Sequence, residues 1–269
     1  MCCECALRGG ASGTMGGMSF EVSADAYGQF MGRFSRPLAE QFADLVGVGA
    51  DQRVLDVGCG SGALTAVLVS RVGADRVSAV DPSESFVEVV RTAYPSMDVR
   101  RTGAESLPFP DGSFDAVLAQ LVVHFMTDPV TGIAEMARTT AAGGVVAASV
   151  WDHAGDKGPL SAFWSAARSL DPSVPDESHL PGVAEGHLAE LFTAAGLTDV
   201  TSSSLTVTVE HSSFEDWWDP FTLGVGPAGA YVAGLDDAQR DALRDRCRRI
   251  QPNAPFRTTA TAWTALAHV

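Results

Sequence analysis

The sequence predicts an α/β fold, a largely parallel sheet with helices on both faces, and three observations predict it. Short apolar runs alternate with helical patterns between Arg53 and Trp151. The first run, Arg53–Val57, closes in a glycine-rich turn, Gly58-Cys59-Gly60-Ser61-Gly62. The second run closes in a carboxylate, Val77-Ser78-Ala79-Val80-Asp81. Strand–helix alternation at this spacing builds βαβ units, whose helices carry the chain back so that successive strands run parallel. With 269 residues, 46% of them hydrophobic, the chain can bury one substantial core and a small cap.

Residues 1–19 are rich in Gly and Ser and predict a disordered tail. Tyr27, Phe30, Met31 and Phe34 fall at helical spacing, as do Leu38, Phe42 and Leu45 after Pro37. Strands follow at Arg53–Val57, Arg76–Asp81, Asp98–Arg101, Phe114–Gln120 and Gly144–Trp151, with helices at Ala63–Val72, Ser83–Ala93 and Pro129–Thr140 between them. After Trp151 the rhythm breaks: 152–182 is loop-rich around a helix at Leu160–Leu170. A helix at Glu185–Ala195 and a strand near Ser204–Glu210 restore it. Phe214–Gly234 is aromatic and glycine-rich, Asp236–Ile250 is helical, and Thr258–Ala267 alternates like a strand. This strand is far enough from its predecessor to predict an antiparallel pair across an insertion. The organisation expected is one domain over 20–269, capped by 20–46, 152–182 and 212–250.

Composition narrows the partners. The formal net charge is −15 and Lys157 is the only lysine, so a phosphate backbone is repelled and no nucleic-acid partner is expected. Arg244, Arg246, Arg248 and Arg249 alternate with Asp241 and Asp245 on a predicted helix and read as a solvated face. No apolar run is long enough to cross a bilayer, so no membrane is expected. Cys59 and Cys247 are isolated, and Cys2, Cys3 and Cys5 are followed by no metal-ligand spacing. That excludes a disulfide framework, predicts no metal site and fits a reducing cytoplasm.

The glycine-rich turn carries the chemistry. Alternate glycines let a backbone turn tightly and approach a ligand that any Cβ would block. The free N–H groups of the helix at Ala63 open onto the same crevice. Asp81, at the tip of the neighbouring strand, can accept two hydrogen bonds from a ribose diol. The motif therefore predicts a pocket for an adenosine-containing cofactor, and two cofactors compete for it. Gly58, Gly60 and Ala63 satisfy the dinucleotide fingerprint, with Asp81 roughly 20 residues on, where that fingerprint places its acid. Against a nicotinamide stand four features: Asp56 two positions before the first glycine, a helix ahead of the first strand, an acidic turn at Gly103–Phe109, and a sole lysine in a loop. A pyrophosphate is repelled by Asp56, whereas a cofactor carrying an ammonium and a sulfonium tolerates it.

In these residues the chain resembles the class I S-adenosylmethionine-dependent methyltransferases, in particular the group acting on small molecules. The resemblance lies in Val54–Gly62, Val80-Asp81, Gly103-Ala104-Glu105 with Leu107-Pro108-Phe109, Phe114-Asp115-Ala116-Val117, His124, and Glu135-Met136-Ala137-Arg138 followed by Gly143-Gly144. It covers about residues 50–150, and Tyr27–Arg33 is similar to the group's tyrosine-containing cap helix. It implies a Rossmann-like, doubly wound seven-stranded sheet of order 3-2-1-4-5-7-6, one strand antiparallel, with S-adenosyl-L-methionine as cofactor and S-adenosyl-L-homocysteine as product. Carried over by position, Gly58, Gly60 and Gly62 pass under the methionine and ribose, Cys59 packs within the same cofactor-binding turn, and Asp56 lies near the amino-acid end. Asp81 holds the ribose, Pro82 or Ser83 packs on adenine, and Ala104 and Glu105 meet the adenine edge. Gln120 and Leu121 line the methionine arm, Tyr27 closes over the donor, and Arg33 pairs with its carboxylate.

Methyl transfer from a sulfonium arrives already activated, so alignment and desolvation carry most of the catalysis. His124 is the general-base candidate, and the same position also orders the loop in this group. His153 is a second residue at the crevice mouth. Trp151, Trp217, Trp218 and Phe221 either line an apolar acceptor pocket or fill the core beneath a lid. The small-molecule acceptor and its reacting atom carry no motif. A nicotinamide oxidoreductase and a non-catalytic cofactor binder are the alternatives.

Overall fold

Strand β1 (Val54–Val57) is buried at every position, on both faces, as a central parallel strand must be. Around it stand β2 (Val77–Asp81), β3 (Asp98–Arg101), β4 (Phe114–Gln120), β5 (Thr140–Trp151), β6 (Thr201–His211) and β7 (Phe256–His268). The computed structural model describes residues 30–174 and 177–269. The expectations for Tyr27 and for the 1–19 tail lie outside them.

The seven strands form one sheet in the order β3-β2-β1-β4-β5-β7-β6. β1 pairs parallel with β2 and β4, β2 with β3, and β4 with β5. β7 alone runs antiparallel, to β5 on one side and β6 on the other. This is the Rossmann-like sheet the sequence implies. β5 begins at Thr140 rather than Gly144, because Thr140 pairs with Phe114 across a register shift before regular pairing resumes at Ala116 and Val145.

Helices α1 (Gly32–Val46), α2 (Ala63–Val72) and α3 (Glu84–Ala93) cover one face, where Phe42, Leu64, Leu68, Val87 and Val90 pack with Val54, Ala116, Leu118 and Val145. Helices α4 (Pro129–Thr139) and α6 (His187–Ala194) cover the other, with Ile133, Met136, Leu188 and Phe192 against Leu55, Val57, Val117 and Val146. Adjacent strand residues thus enter opposite cores, the period of two that a β-strand dictates. Among the described residues, no helix is long and apolar enough to cross a membrane.

The cap has its own core. Helix α5 (Ser161–Leu170) packs with α7 (Phe214–Trp218), α8 (Gly226–Ala233) and α9 (Asp237–Ile250). The segment Phe214–Gly234 is thus mostly helical, with α7 capped by Ser213 accepting from the Asp216 N–H at 3.0 Å. Phe221 stacks on Phe163 at a centroid distance of 4.5 Å and meets Phe30 edge-on at 5.0 Å. Trp217, Trp218 and Phe221 are all buried in this cluster, against one another and the cap helices. α1 is fastened to the cap by Arg33, whose guanidinium pairs with Asp216 at 2.8 Å and donates to the Glu210 carbonyl at 2.7 Å.

Phe221→Ala is expected to lower stability by about 3–5 kcal/mol, the cost of emptying a closed aromatic site. Urea unfolding checks it, and a loss below about 1 kcal/mol would return the ring to a ligand-lining role.

Candidate functional site

At the carboxyl end of β1 the backbone turns back at once: the Gly58 and Cys59 N–H groups both donate to the Val80 carbonyl of β2, at 2.8 and 3.0 Å. Gly58 has φ +73°, and a Cβ there would collide with the side chain of Val122 in the loop after β4. Only hydrogen fits both constraints. The turn ends at Gly62, which caps α2 without a side-chain hydrogen bond; the Thr65 N–H is taken by Asp56, and the N–H groups of Ala63 and Leu64 lack a partner within the helix.

Asp81 ties the turn to β2. One carboxylate oxygen accepts from the Gly60 N–H at 2.9 Å, the other from the Ser83 N–H at 2.8 Å. Burial pushes its carboxyl pKa up, and the two N–H bonds pull against that shift. Beneath it lies Asp56, 1% exposed, accepting from the Thr65 hydroxyl at 2.6 Å. Burial raises Asp56 to about 7, opposed by the Thr65 bond and reinforced by the charge of Asp81. Among the described residues, neither carboxylate has a basic side chain as partner. Cys59 sits in the same turn with its thiol pushed well above the ordinary range, by burial and then by these two carboxylates. It is an inert packing residue.

The second wall comes from β4 and β5. Gln120 donates from its amide nitrogen to the Ser35 carbonyl of α1 at 3.0 Å, and its amide oxygen is left without a partner. Leu121 follows with φ +61°, an unusual angle for a branched residue, and donates to the Ser149 carbonyl at 2.7 Å. Trp151 meets Phe34 edge-on at 6.4 Å, and its indole N–H is unpartnered, as is the Ser149 hydroxyl. His124, in the turn Val123–Phe125, leaves Nδ1 unpartnered too. A buried polar atom without a partner costs roughly 1–3 kcal/mol, and these four stand at or near the carboxyl ends of β4 and β5.

His124 departs from the general-base expectation. Burial, then the neighbouring His153, pulls its pKa down to about 3. A group so hard to protonate is a poor acceptor of a substrate proton near neutral pH.

The acidic turn is held from below. Arg138 bonds Glu135 at 2.6 Å, Asp111 at 2.7 Å, and the carbonyls of Phe109 and Leu107 at 2.9 Å each. Ala104 is buried at the turn's start and Pro82 is exposed at the rim. Glu105 spends one oxygen on the Thr127 and Asp128 N–H groups, at 2.8 and 3.3 Å, at the threshold of α4. Arg33 likewise stands with Asp216 and Glu210 rather than in the crevice. The structure therefore brings Asp56, Gly58, Cys59, Gly60 and Asp81 together, sets Gln120, Leu121, His124 and Trp151 along the adjoining strand ends, and places Trp217, Trp218 and Phe221 in the cap core.

Two residues escaped the sequence reading. Thr65 supports Asp56, and its signal is modest: a hydroxyl in the first turn of the helix that follows the glycines. Glu177 joins His124 and His153 in a buried group, one ligand atom of each lying within 4.8 Å of the others. It stands in a polar stretch of the loop-rich segment, and nothing in the local pattern sets it apart from a solvated carboxylate.

Known proteins share this fold and part of this sequence. Residues 55–148 match the family model described as a methyltransferase domain. An uncharacterized methyltransferase of Mycobacterium tuberculosis is 40% identical over 127 residues, 47% of this chain and 49% of that protein. A malonyl-acyl-carrier-protein O-methyltransferase of Erwinia billingiae is 30% identical over 172 residues, 64% of this chain and 66% of that protein. The chain spans about half the length of the mycobacterial relatives it matches. The YcgJ protein of Bacillus subtilis superposes with a TM-score of 0.54 at 20% identity, covering 87% of this chain and 98% of that one. That likeness shows the fold.

Native Asp56, raised to about 7, keeps a proton that the unfolded chain releases near its ordinary 3.8. The stability it contributes is therefore full in acid and lost as pH rises through about 7. Asp56→Asn should gain on the wild type over that window, by on the order of 4 kcal/mol at alkaline pH. Urea unfolding across the pH range tests this, and a gain independent of pH would contradict it.

Proposed function

Residues 55–148 are a methyltransferase domain of the class I S-adenosylmethionine-dependent type, and on that premise we propose that the chain transfers a methyl group from this cofactor to a small, apolar or aromatic acceptor. The observation that carries the reading is the pair of buried carboxylates, Asp56 and Asp81, under a turn whose glycine admits no Cβ. A pyrophosphate above these carboxylates is repelled to the extent that they ionise, whereas a cofactor bearing an ammonium and a sulfonium is attracted and favours their ionised form.

The residues present fit that cofactor. Gly58 and Gly60 and the free N–H groups of α2 would cradle it, and the lone pairs of Asp81 left over from Gly60 and Ser83 would accept the ribose hydroxyls. The unpartnered oxygen of Gln120, with Leu121, would meet the methionine arm, while Ala104 and Pro82 would flank adenine. Asp56 would lend its negative charge through the Thr65 hydroxyl network rather than by contact. When bound, the cofactor supplies an electrophilic methyl carbon on sulfur, so the reaction is an in-line displacement. What this chain contributes is alignment and the exclusion of water, which together can account for roughly 7–11 kcal/mol of a barrier. Trp151 would form one acceptor wall. The net charge of −15 supports a small molecule over a nucleic acid.

Calorimetry with S-adenosylmethionine, S-adenosylhomocysteine and NADH tests the reading. The wild type should bind both adenosyl sulfur compounds with micromolar affinity and NADH negligibly. Asp81→Ala should weaken the two by roughly 100-fold, and Asp81→Asn, which keeps one acceptor, by less. NADH binding without a response to either sulfur compound would overturn it.

A further inference from the structure

The loops that leave β4 and β5 and the cap loop meet at one point. His124 comes from the first, His153 from the second and Glu177 from the third, with ligand atoms all within 4.8 Å of one another. The three residues are only 5%, 9% and 6% exposed. The two imidazole rings stand 6.0 Å apart between centroids. Behind His153 the chain passes at Gly158, where a Cβ would come within 2.9 Å of Nδ1, so the ring is held from the back. His124 offers a nitrogen, Nδ1, that is sealed from solvent and has no hydrogen-bond partner. A buried ring nitrogen left unsatisfied inside a ring of other donors calls for an explanation that packing does not give.

We propose that His124, His153 and Glu177 bind one divalent transition-metal cation, whose remaining positions take an oxygen of the methyl acceptor. Two imidazoles and one carboxylate suit zinc, ferrous iron or manganese, and are a poor match for calcium or magnesium, which favour all-oxygen shells. Donors at about 2.1 Å from a tetrahedral ion lie roughly 3.4 Å apart, so the widest pair has to close by roughly 1.4 Å. Side-chain rotation covers that distance. The location is suited to an acceptor: Val122, two residues before His124, is the side chain against which Gly58 packs, so this cluster adjoins the turn assigned to the donor.

The consequence rests on the methyl-transfer reading. An acceptor hydroxyl on the cation is acidified and gives its proton to water. The oxygen then bonds to the methyl carbon as the carbon–sulfur bond breaks, and the electron pair of that bond returns to sulfur, leaving a neutral thioether. The acceptor class is therefore an ionisable hydroxyl compound, a phenol or an enol.

Cobalt(II) and zinc(II) titrated into the chelator-treated, untagged full chain test the site. One equivalent of cobalt should bind with visible d–d absorption and no thiolate charge-transfer band. Glu177→Gln and His153→Gln, each checked for retained fold by circular dichroism, should weaken binding more than about tenfold. A wild type that takes up neither metal overturns the proposal, and this arm needs no variant. So does equal affinity in both variants, or a thiolate band that places cobalt on Cys2, Cys3 and Cys5. Binding of S-adenosylhomocysteine to the metal-free wild type is measured alongside: its loss would sink the methyl-transfer reading and leave the cation site standing.

Discussion

Asp81 is the point on which the crevice turns. Its two oxygens fasten the Gly60 N–H of one loop and the Ser83 N–H of the next, so the turns after β1 and β2 hold a single arrangement. Desolvation makes that carboxylate costly, and Asp56 lies close enough for the like charges to interact. A protein selected for stability alone would remove one of them. The strain is concentrated where a ligand of opposite charge would relieve it, the pattern expected when a binding site is preorganised at the expense of the empty protein.

The two halves of the molecule divide the work. The sheet edge sets positions through backbone bonds and short side chains, which leave little freedom: Gly58 against Val122, Leu121 against Ser149, Gln120 against Ser35. The cap is built from aromatic packing around Phe163 and Phe221, and reaches α1 through Arg33. Such an ion pair, about a third exposed on each side, holds orientation more than it adds stability. The enclosing part of the protein is joined to the rest by buried aromatic packing at Phe30 and Phe256 as well as by this ion pair, while the part that grips is integral to the sheet.

Much of this was legible in the residues. Every strand and most helices fall within a few positions of where periodicity put them, because a buried parallel strand between glycine turns is written in a continuous apolar run. β5 began early because a register shift depends on the partner strand, which local pattern does not record. The glycine turn and Asp81 were legible for a stronger reason: backbone approach and a strand-tip carboxylate are chemical necessities with a fixed spacing. Glu105, Arg33 and the cap aromatics were not. Each belongs to a residue type that serves surface, ion pair or core equally well, and only its tertiary neighbours decide among them. Glu177 is the extreme case, since it meets two histidines that are remote in sequence and share no spacing with it.

The placement of β7 has a consequence for synthesis. It follows β6 in the chain yet lies between β6 and β5, paired with both. Until residues 256–268 have left the ribosome, β5 presents an unpaired edge of buried, apolar backbone, and β6 has no neighbour in the sheet. A nascent chain in that state offers a template for strand addition by another molecule. The nascent protein is therefore most vulnerable to aggregation late in translation, when nearly all of its core already exists.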